Sequence, residues 1–396
     1  MEKLITPYKK NHFFGYYDKS PLNYDKTYVI SHEVESSGRR IKKTDSAKIC
    51  ITNLQKKTTK EIDETYSWNY QQGAQLQWLS KNKIIYNSFN KNYCSKIYDI
   101  ETSKIESNLN FPIYSISSDK KIYSTVNYAR LHKFREGYGY QQKDYEFDEN
   151  LLKICSINNG EVFVEINISD FSHIDDINTK CCWIDHILFS PKSYDFVFLL
   201  RSQSGNSNLL SYLFFYDYEK KKIHNVINTG MAGHGSWFDE NNFVIWARQK
   251  QFTKKINKIN NSVLKKIINL ARYFGVPNFI RKNLYGDNYI SFNKKTLSIK
   301  NLKLNIPFNL AGGHFSFVDN DNLMISDTYH NNDNESLLFS YDMNNHSLRE
   351  FDIFKCIPNI KDKSYRCDLH PRIISTNEII IDSTHEGFRG IYSVKV

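Results

Sequence analysis

One short unit recurs along this chain, and the recurrence limits its possible folds more than any other feature. Apolar, aromatic-rich stretches close on a polar turn at residues 94–100 (CSKIYDI), 213–218 (LFFYDY), 338–343 (LFSYDM) and 390–394 (GIYSV). Each reads as a strand, and strands repeating without intervening helices indicate a propeller or a related array. A second pattern marks where the units begin. His186 opens HILFSP, His234 opens HGSWFD, His314 opens HFSFVD and His370 opens HPRIIS. The same register places Tyr16 before YDKSP, Gln75 before LQWLS and Ile113 before YSIS. Seven openings predict an all-β fold, a seven-bladed β-propeller that uses residues 1–396 as one domain. The last unit has room for only three strands, so residues 3–7 are expected to supply the fourth and close the ring, which removes the exposed edges of an open array.

Composition agrees with strands: aromatic residues make up 15% of the chain, with 27 Tyr and 26 Phe, side chains suited to a pleated, half-buried surface. The net charge of +10 is concentrated. Residues 249–286 hold nine Lys or Arg and no Asp or Glu, so the remainder is near neutral and a nucleic-acid partner is not expected. Within that stretch Ile256, Ile259, Val263, Ile267, Leu270 and Phe274 recur at three- and four-residue steps. That spacing predicts a basic helical insertion in the fifth blade. The helix over 254–274 either packs on the propeller with a solvated basic face or meets a membrane surface or anionic glycan. No apolar run approaches the roughly 20 residues that span a bilayer, and the first residues have no apolar signal core. The seven cysteines show no CxxC spacing and read as reduced thiols. These features together predict a cytoplasmic protein, with membrane association through the helix as the variant.

Inner strands of a propeller surround its axis, so residues at equivalent positions form a ring. His186, His234, His314 and His370, separated by 48, 80 and 56 residues, therefore converge on four consecutive blades. Neutral imidazole is the commonest transition-metal ligand, and Asp368 or Gln75 can complete a manganese-like shell. Asp18, Gln71, Gln72, Asp185, Arg366 and Arg372 lie near the openings, and Arg201 ends the strand after His186. Tyr16, Gln75, Asp18, Arg366, Arg372 and Arg130 are candidates for binding substrate. The segment from Asn127 to Tyr140 reads as a long ordered loop over the mouth. Asp382 and Glu386 either orient imidazoles as outer partners or build a hairpin turn. No GxSxG, HExxH, Walker loop or GxGxxG occurs, which leaves serine hydrolase, zincin and nucleotide-binding readings without support.

Gly312-Gly313-His314-Phe315-Ser316, Asp368-Leu369-His370-Pro371-Arg372, Gly233-His234-Gly235-Ser236-Trp237 and the opening His12 to Pro21 resemble the oligogalacturonate lyases and their propeller relatives. The resemblance implies cleavage of uronate-containing, acidic oligosaccharides by β-elimination with a bound divalent metal, manganese. It implies His314 and His370 as metal ligands, His234 as the general base and Arg201 as an assisting arginine. The family pattern has a histidine where Asp368 stands and a glutamine upstream where residues 363–366 read KSYR. Asp368 can supply a carboxylate ligand there, or His186 can replace the missing imidazole. The competing reading is a non-catalytic propeller that binds glycans or assists surface-polysaccharide assembly at the membrane.

Overall fold

The computed structural model of the protein describes residues 2–36, 38–204, 208–249, 286–318, 321–357, 360, 362 and 364–396. Among them are seven antiparallel sheets of four strands each, the expected seven-bladed β-propeller. Blade one is β2 (Asn11–Phe13), β3 (Tyr28–Val34), β4 (Ala47–Asn53) and β5 (Thr58–Thr65). Blade two is β6 (Gln77–Trp78), β7 (Lys83–Asn90), β8 (Asn92–Asp99) and β9 (Lys104–Leu109). Blade three is β10 (Ser115–Ile116), β11 (Ile122–Val126), β12 (Asn150–Ser156) and β13 (Val162–Asn167). Blade four is β14 (Cys182–Phe189), β15 (Phe196–Ser204), β16 (Asn208–Asp217) and β17 (Lys222–Ile227). Blade five is β18 (Ala232–Trp237), β19 (Asn242–Arg248), β20 (Asp287–Asn293) and β21 (Ser298–Asn301). Blade six is β22 (Phe315–Val318), β23 (Asp321–Asp327), β24 (Glu335–Asp342) and β25 (Ser347–Lys355).

Blade seven takes three strands from the end of the chain, β26 (Arg372–Ser375), β27 (Glu378–Ser383) and β28 (Gly390–Lys395). Its outer strand is β1 (Glu2–Leu4), which pairs Glu2 with Val394 and Leu4 with Tyr392. The Ile5 N–H continues the ladder to the Ile391 carbonyl at 2.9 Å. The closing strand is thus residues 2–4 rather than 3–7, because beyond Ile5 it is the Thr6 side chain, not the backbone, that accepts the Ile391 N–H (3.2 Å).

Apolar faces of neighbouring sheets fill the space between blades. Val197, Leu199, Leu213 and Phe215 of blade four pack on Ile245, Ile290 and Phe292 of blade five, all nearly inaccessible. Burying one such side chain contributes about 1.5–3 kcal/mol, so the apolar seams dominate the cohesion of the ring. A polar device then fixes the openings. The second strand of four blades carries a side chain that binds backbone at the next blade's opening. His32 Nε2 accepts the Ala74 N–H (2.9 Å), and Asn87 exchanges two hydrogen bonds with Ile113 (2.7 and 2.8 Å). The Asp327 carboxylate accepts the His370 N–H (3.1 Å), and Asp382 accepts those of Phe14 and Gly15 (3.2 and 3.3 Å). Gly15 (φ +132°) runs so close to blade two that a Cβ would stand 2.9 Å from the Gln72 carbonyl carbon.

The basic helix expected within 249–286, and the membrane contact drawn from residues 254–274, fall outside the described residues. Among the described residues no helix is long and apolar enough to cross a membrane. One departure concerns the segment from Asn127. Rather than a loop it starts a short helix, α1 (Tyr128–Phe134), because Asn127 caps it by accepting the Arg130 N–H at 3.0 Å.

Candidate functional site

The backbone at the openings is shaped to turn side chains toward the axis. Gln75, His186 and His370 adopt φ of +53°, +54° and +45°, a left-handed region that non-glycine residues enter rarely and mostly where surroundings enforce it. His186 and His234 sit at register shifts, between Asp185 and Leu188 in β14 and between Ala232 and Gly235 in β18. Such bulges re-aim a side chain without ending the strand. The result is a packed cluster of rings. His234 and His314 have centroids 4.1 Å apart, His314 and His370 4.3 Å, and His186 and His234 5.7 Å. The Tyr16 ring stands among all four, 5.0–6.2 Å from each. The register residues of blades one and four to seven therefore meet.

Their hydrogen bonds separate their roles. His314 Nδ1 lies 3.0 and 3.1 Å from the two Asp327 oxygens, so Nδ1 carries the proton and the Nε2 lone pair is left available. A carboxylate behind an imidazole in this way is the usual support of a metal-ligating histidine. Both ring nitrogens of His370 are buried with no hydrogen-bond partner among the described residues, a costly state for polar atoms unless a ligand engages them. Donor atoms of His314, His370 and Asp368 all lie within 4.8 Å of one another. Two imidazoles and a carboxylate suit a divalent cation such as manganese, so these residues fit such an ion. His186 is not in this group. Its Nδ1 is 2.6 Å from Asp185 Oδ1 and its Nε2 2.6 Å from the Tyr16 hydroxyl, so both ring nitrogens are already engaged. Of the two ways to complete the ligand set, the geometry offers Asp368 and not His186.

His234 has a different character. Its Nδ1 is 3.2 Å from the Gly313 carbonyl oxygen, which only accepts, so Nδ1 holds the proton and Nε2 is basic. Burial, with the nearby His314 and His186, keeps this imidazole well below its ordinary pKa and so neutral. Burial and His314 do the same to His370. Asp185 is the charged hub beside them. It accepts from Arg201 Nε (2.9 Å), Trp183 Nε1 (3.1 Å) and Arg135. Burial acts to raise the Asp185 carboxyl, but Arg201, Arg135 and His186 outweigh it and hold the group well below the usual range.

Several sequence candidates take other positions. Arg372 turns away from the mouth, donating to Asp382 (3.0 and 3.2 Å) and to the Tyr16 carbonyl (3.2 Å) and Gly15 carbonyl. It holds the Tyr16 backbone and is not a free substrate contact. Arg130 turns its Nη2 to the Tyr145 hydroxyl and the Asp148 carbonyl, and it is Arg135, at the end of α1, that reaches Asp185 beside the cluster. Asp382 orients no imidazole, since Arg372 and the Phe14–Gly15 amides occupy it. Glu386 lies exposed on the β27–β28 turn and accepts from Tyr392 (2.9 Å), too far out to serve a buried ring. Asp18 pairs with Lys19 at 2.7 Å, and Gln75 Nε2 donates to Gln72 at 2.9 Å. Arg366 pairs with Asp368 at 2.7 Å and lies 5.2 Å from the Tyr329 ring centre. Arg135, Asp327, Tyr17 and Tyr329 also border the cluster without being sequence candidates, whereas Tyr138 belongs to the mouth segment expected between Asn127 and Tyr140. Asp327 alone left a trace, as it stands at the end of the second strand like His32, Asn87 and Asp382.

Two buried histidines make stability pH-dependent. His32 accepts the Ala74 N–H and His186 accepts the Tyr16 hydroxyl through Nε2, so protonation there displaces a donor. Burial pulls His32 down to about 3 and His186 to about 4. The unfolded chain takes up these protons near the ordinary value of about 6.5, so it binds more protons than the fold below that pH and stability falls on acidification. Each histidine is expected to cost about 2 kcal/mol between pH 7 and pH 5. Urea unfolding at the two pH values measures this, and an unchanged free energy would refute it.

No protein-family model matches the sequence, and no curated protein matches it. Solved structures do resemble it. An oligogalacturonate lyase in complex with manganese superimposes with a TM-score of 0.63 at 12% identity, over 100% of this chain and 93% of the other. The oligogalacturonate lyase of Vibrio parahaemolyticus gives the same values. A chain of a mitotic checkpoint complex reaches 0.51 at 9% identity, over 99% of this chain and 95% of that one. At these identities the likeness is one of fold: this chain shares its β-propeller architecture with the oligogalacturonate lyases.

Proposed function

We propose that the protein is a metal-assisted lyase that cleaves uronate-containing oligosaccharides by β-elimination. The observation that carries this reading is the pairing, in one buried cluster, of a cation-competent set (His314, His370 and Asp368) with a neutral histidine whose basic Nε2 is left unprotonated. A uronate C5 proton is too weakly acidic to remove while the adjacent carboxylate keeps its charge. Manganese held by His314, His370 and Asp368 would neutralise that carboxylate and stabilise the enolate-like charge. Arg135 is placed to assist, since its side chain is 22% exposed beside the cluster.

His234 takes the C5 proton, the C4–O bond breaks and the C4–C5 double bond forms. Tyr16 gives its hydroxyl proton to the departing oxygen. His186 orients that hydroxyl, itself fixed by Asp185, which Arg201 holds from behind. Arg201 thus acts through Asp185 and His186 rather than on substrate. After product leaves, the proton on His234 returns to Tyr16, and the enzyme is restored.

The test is incubation of the manganese-loaded protein with a panel of uronate oligosaccharides, following ultraviolet absorbance of the unsaturated product. His234→Gln is expected to lower turnover by about 10²–10⁴-fold and to abolish hydrogen exchange at C5 in heavy water. Tyr16→Phe should block cleavage yet leave that exchange in place. Absence of unsaturated product across the panel would refute the lyase reading. Equal loss of exchange in both variants would refute the division of labour.

A further inference from the structure

A second group of donors stands on blade one. In β2–β4 the register sets His12 opposite Glu33, Glu33 opposite Lys48, and Ser31 opposite Cys50. Facing partners, and residues two apart along a strand, share one side of a sheet. His12, Ser31, Glu33, Lys48 and Cys50 therefore lie on the same face. His12 is fully buried and Cys50 nearly so. The His12 ring is fixed by Ser31, whose Oγ is 3.2 Å from Nδ1, and this turns Nε2 to within 3.2 Å of Glu33 Oε2. One ligand atom from each of His12, Glu33 and Cys50 lies within 4.8 Å of the others. Tetrahedral zinc, with bonds of about 2.0–2.3 Å, wants its donors roughly 3.3–3.8 Å apart, so small side-chain movements suffice.

We propose that His12, Glu33 and Cys50 form a second metal site, one that takes a borderline-soft divalent cation of the zinc class. The donor set selects the cation. A thiolate with an imidazole and a carboxylate favours zinc, whereas the mouth, with imidazoles and a carboxylate alone, favours a harder ion. Lys10 donates to both Glu33 oxygens (3.1 and 3.2 Å) and Lys48 lies 3.9 Å from Oε1, while Oε2 also faces the ring at 3.2 Å. A cavity of about 350 Å³ lined by Glu33, Lys48 and Glu64 borders the Glu33 side of the cluster. A cation here would clamp the three-residue strand β2 to β3 and β4. That strand feeds directly into the Gly15–Tyr16 stretch that reaches the mouth, so the site would anchor Tyr16 from behind.

The experiment uses cobalt(II) as a spectroscopic stand-in, titrated into the full-length reduced protein. A thiolate–cobalt charge-transfer band in the near ultraviolet is expected to saturate with one equivalent. The His314→Ala/His370→Ala double variant should keep the band, because the mouth ligands include no thiol, and this separates the site from the lyase reading. Cys50→Ser should abolish the band, and His12→Asn should weaken binding at least about a hundredfold. Metal-free circular dichroism and melting of both variants report whether they fold. A reduced wild-type protein that shows no thiolate band, or a band that survives Cys50→Ser, would overturn the proposal.

Discussion

Replacing His370 with alanine is expected to strip the divalent ion from the mouth and to lower lyase turnover by about a thousandfold. The magnitude follows from the loss of Lewis-acid assistance, worth several kcal/mol, at about 1.4 kcal/mol per factor of ten. His370 is the residue to test because its two ring nitrogens are buried without partners among the described residues, so truncation removes unpaired polar atoms rather than breaking a bond network. Folding should survive for that reason. His314→Ala should have the same effect on metal content, with some loss of stability because Asp327 then loses its imidazole partner. His186→Asn is the informative control. Both nitrogens of His186 are already bound to Asp185 and Tyr16, so metal stoichiometry should persist while proton delivery fails. Elemental analysis of the three variants, alongside their melting curves, decides the matter. Full metal retention in a folded His370→Ala protein would remove His370 from the ligand set.

The second large effect concerns stability. Asp382→Ala is expected to cost about 3–5 kcal/mol, the usual consequence of removing one partner from a buried ion pair. Arg372 is 2% exposed and Asp382 fully buried, and the carboxylate also accepts the Phe14 and Gly15 N–H groups. The substitution leaves a buried guanidinium and two backbone donors without their acceptor. Against a total stability of about 5–15 kcal/mol, that loss is large. Glu386→Ala, only a few residues away but exposed on its turn, should change stability by no more than about 0.5 kcal/mol. Urea unfolding gives both values. A loss below about 1 kcal/mol for Asp382→Ala would show that the pair does not hold the seventh blade to the first.

Why the seven blades were readable, and parts of the site were not, follows from the range of each interaction. The opening register depends on local strand and turn chemistry, so His186, His234, His314 and His370 could be aligned without knowing a single distant contact. Ring closure by the N-terminal strand followed from counting strands in the last unit. The orientation of an arginine has no such local signature. Arg372 and Arg130 occupy mouth-proximal segments, yet each turns to a carboxylate or carbonyl, while Arg135 enters the site because a short helix delivers it. The choice between Asp368 and His186 as the third donor likewise depended on cross-ring contacts. His186 was claimed by Asp185 beside it and by Tyr16, which is 170 residues distant in sequence. Asp327 was missed because one aspartate at a strand end is unremarkable until its partners on two blades are known.

The pairing of β1 with β28 also sets an order of events during synthesis. Glu2–Leu4 is made before the other described strands and must wait for Tyr392–Val394, made after them. The intervening blades can form one after another, each from local hairpins. The mouth cannot, because Tyr16 belongs to the first blade and His370 to the last. A nascent chain therefore carries a nearly finished scaffold with an unassembled site and an unpaired strand edge. Ring closure and assembly of the Tyr16–histidine cluster then occur together, as one late step.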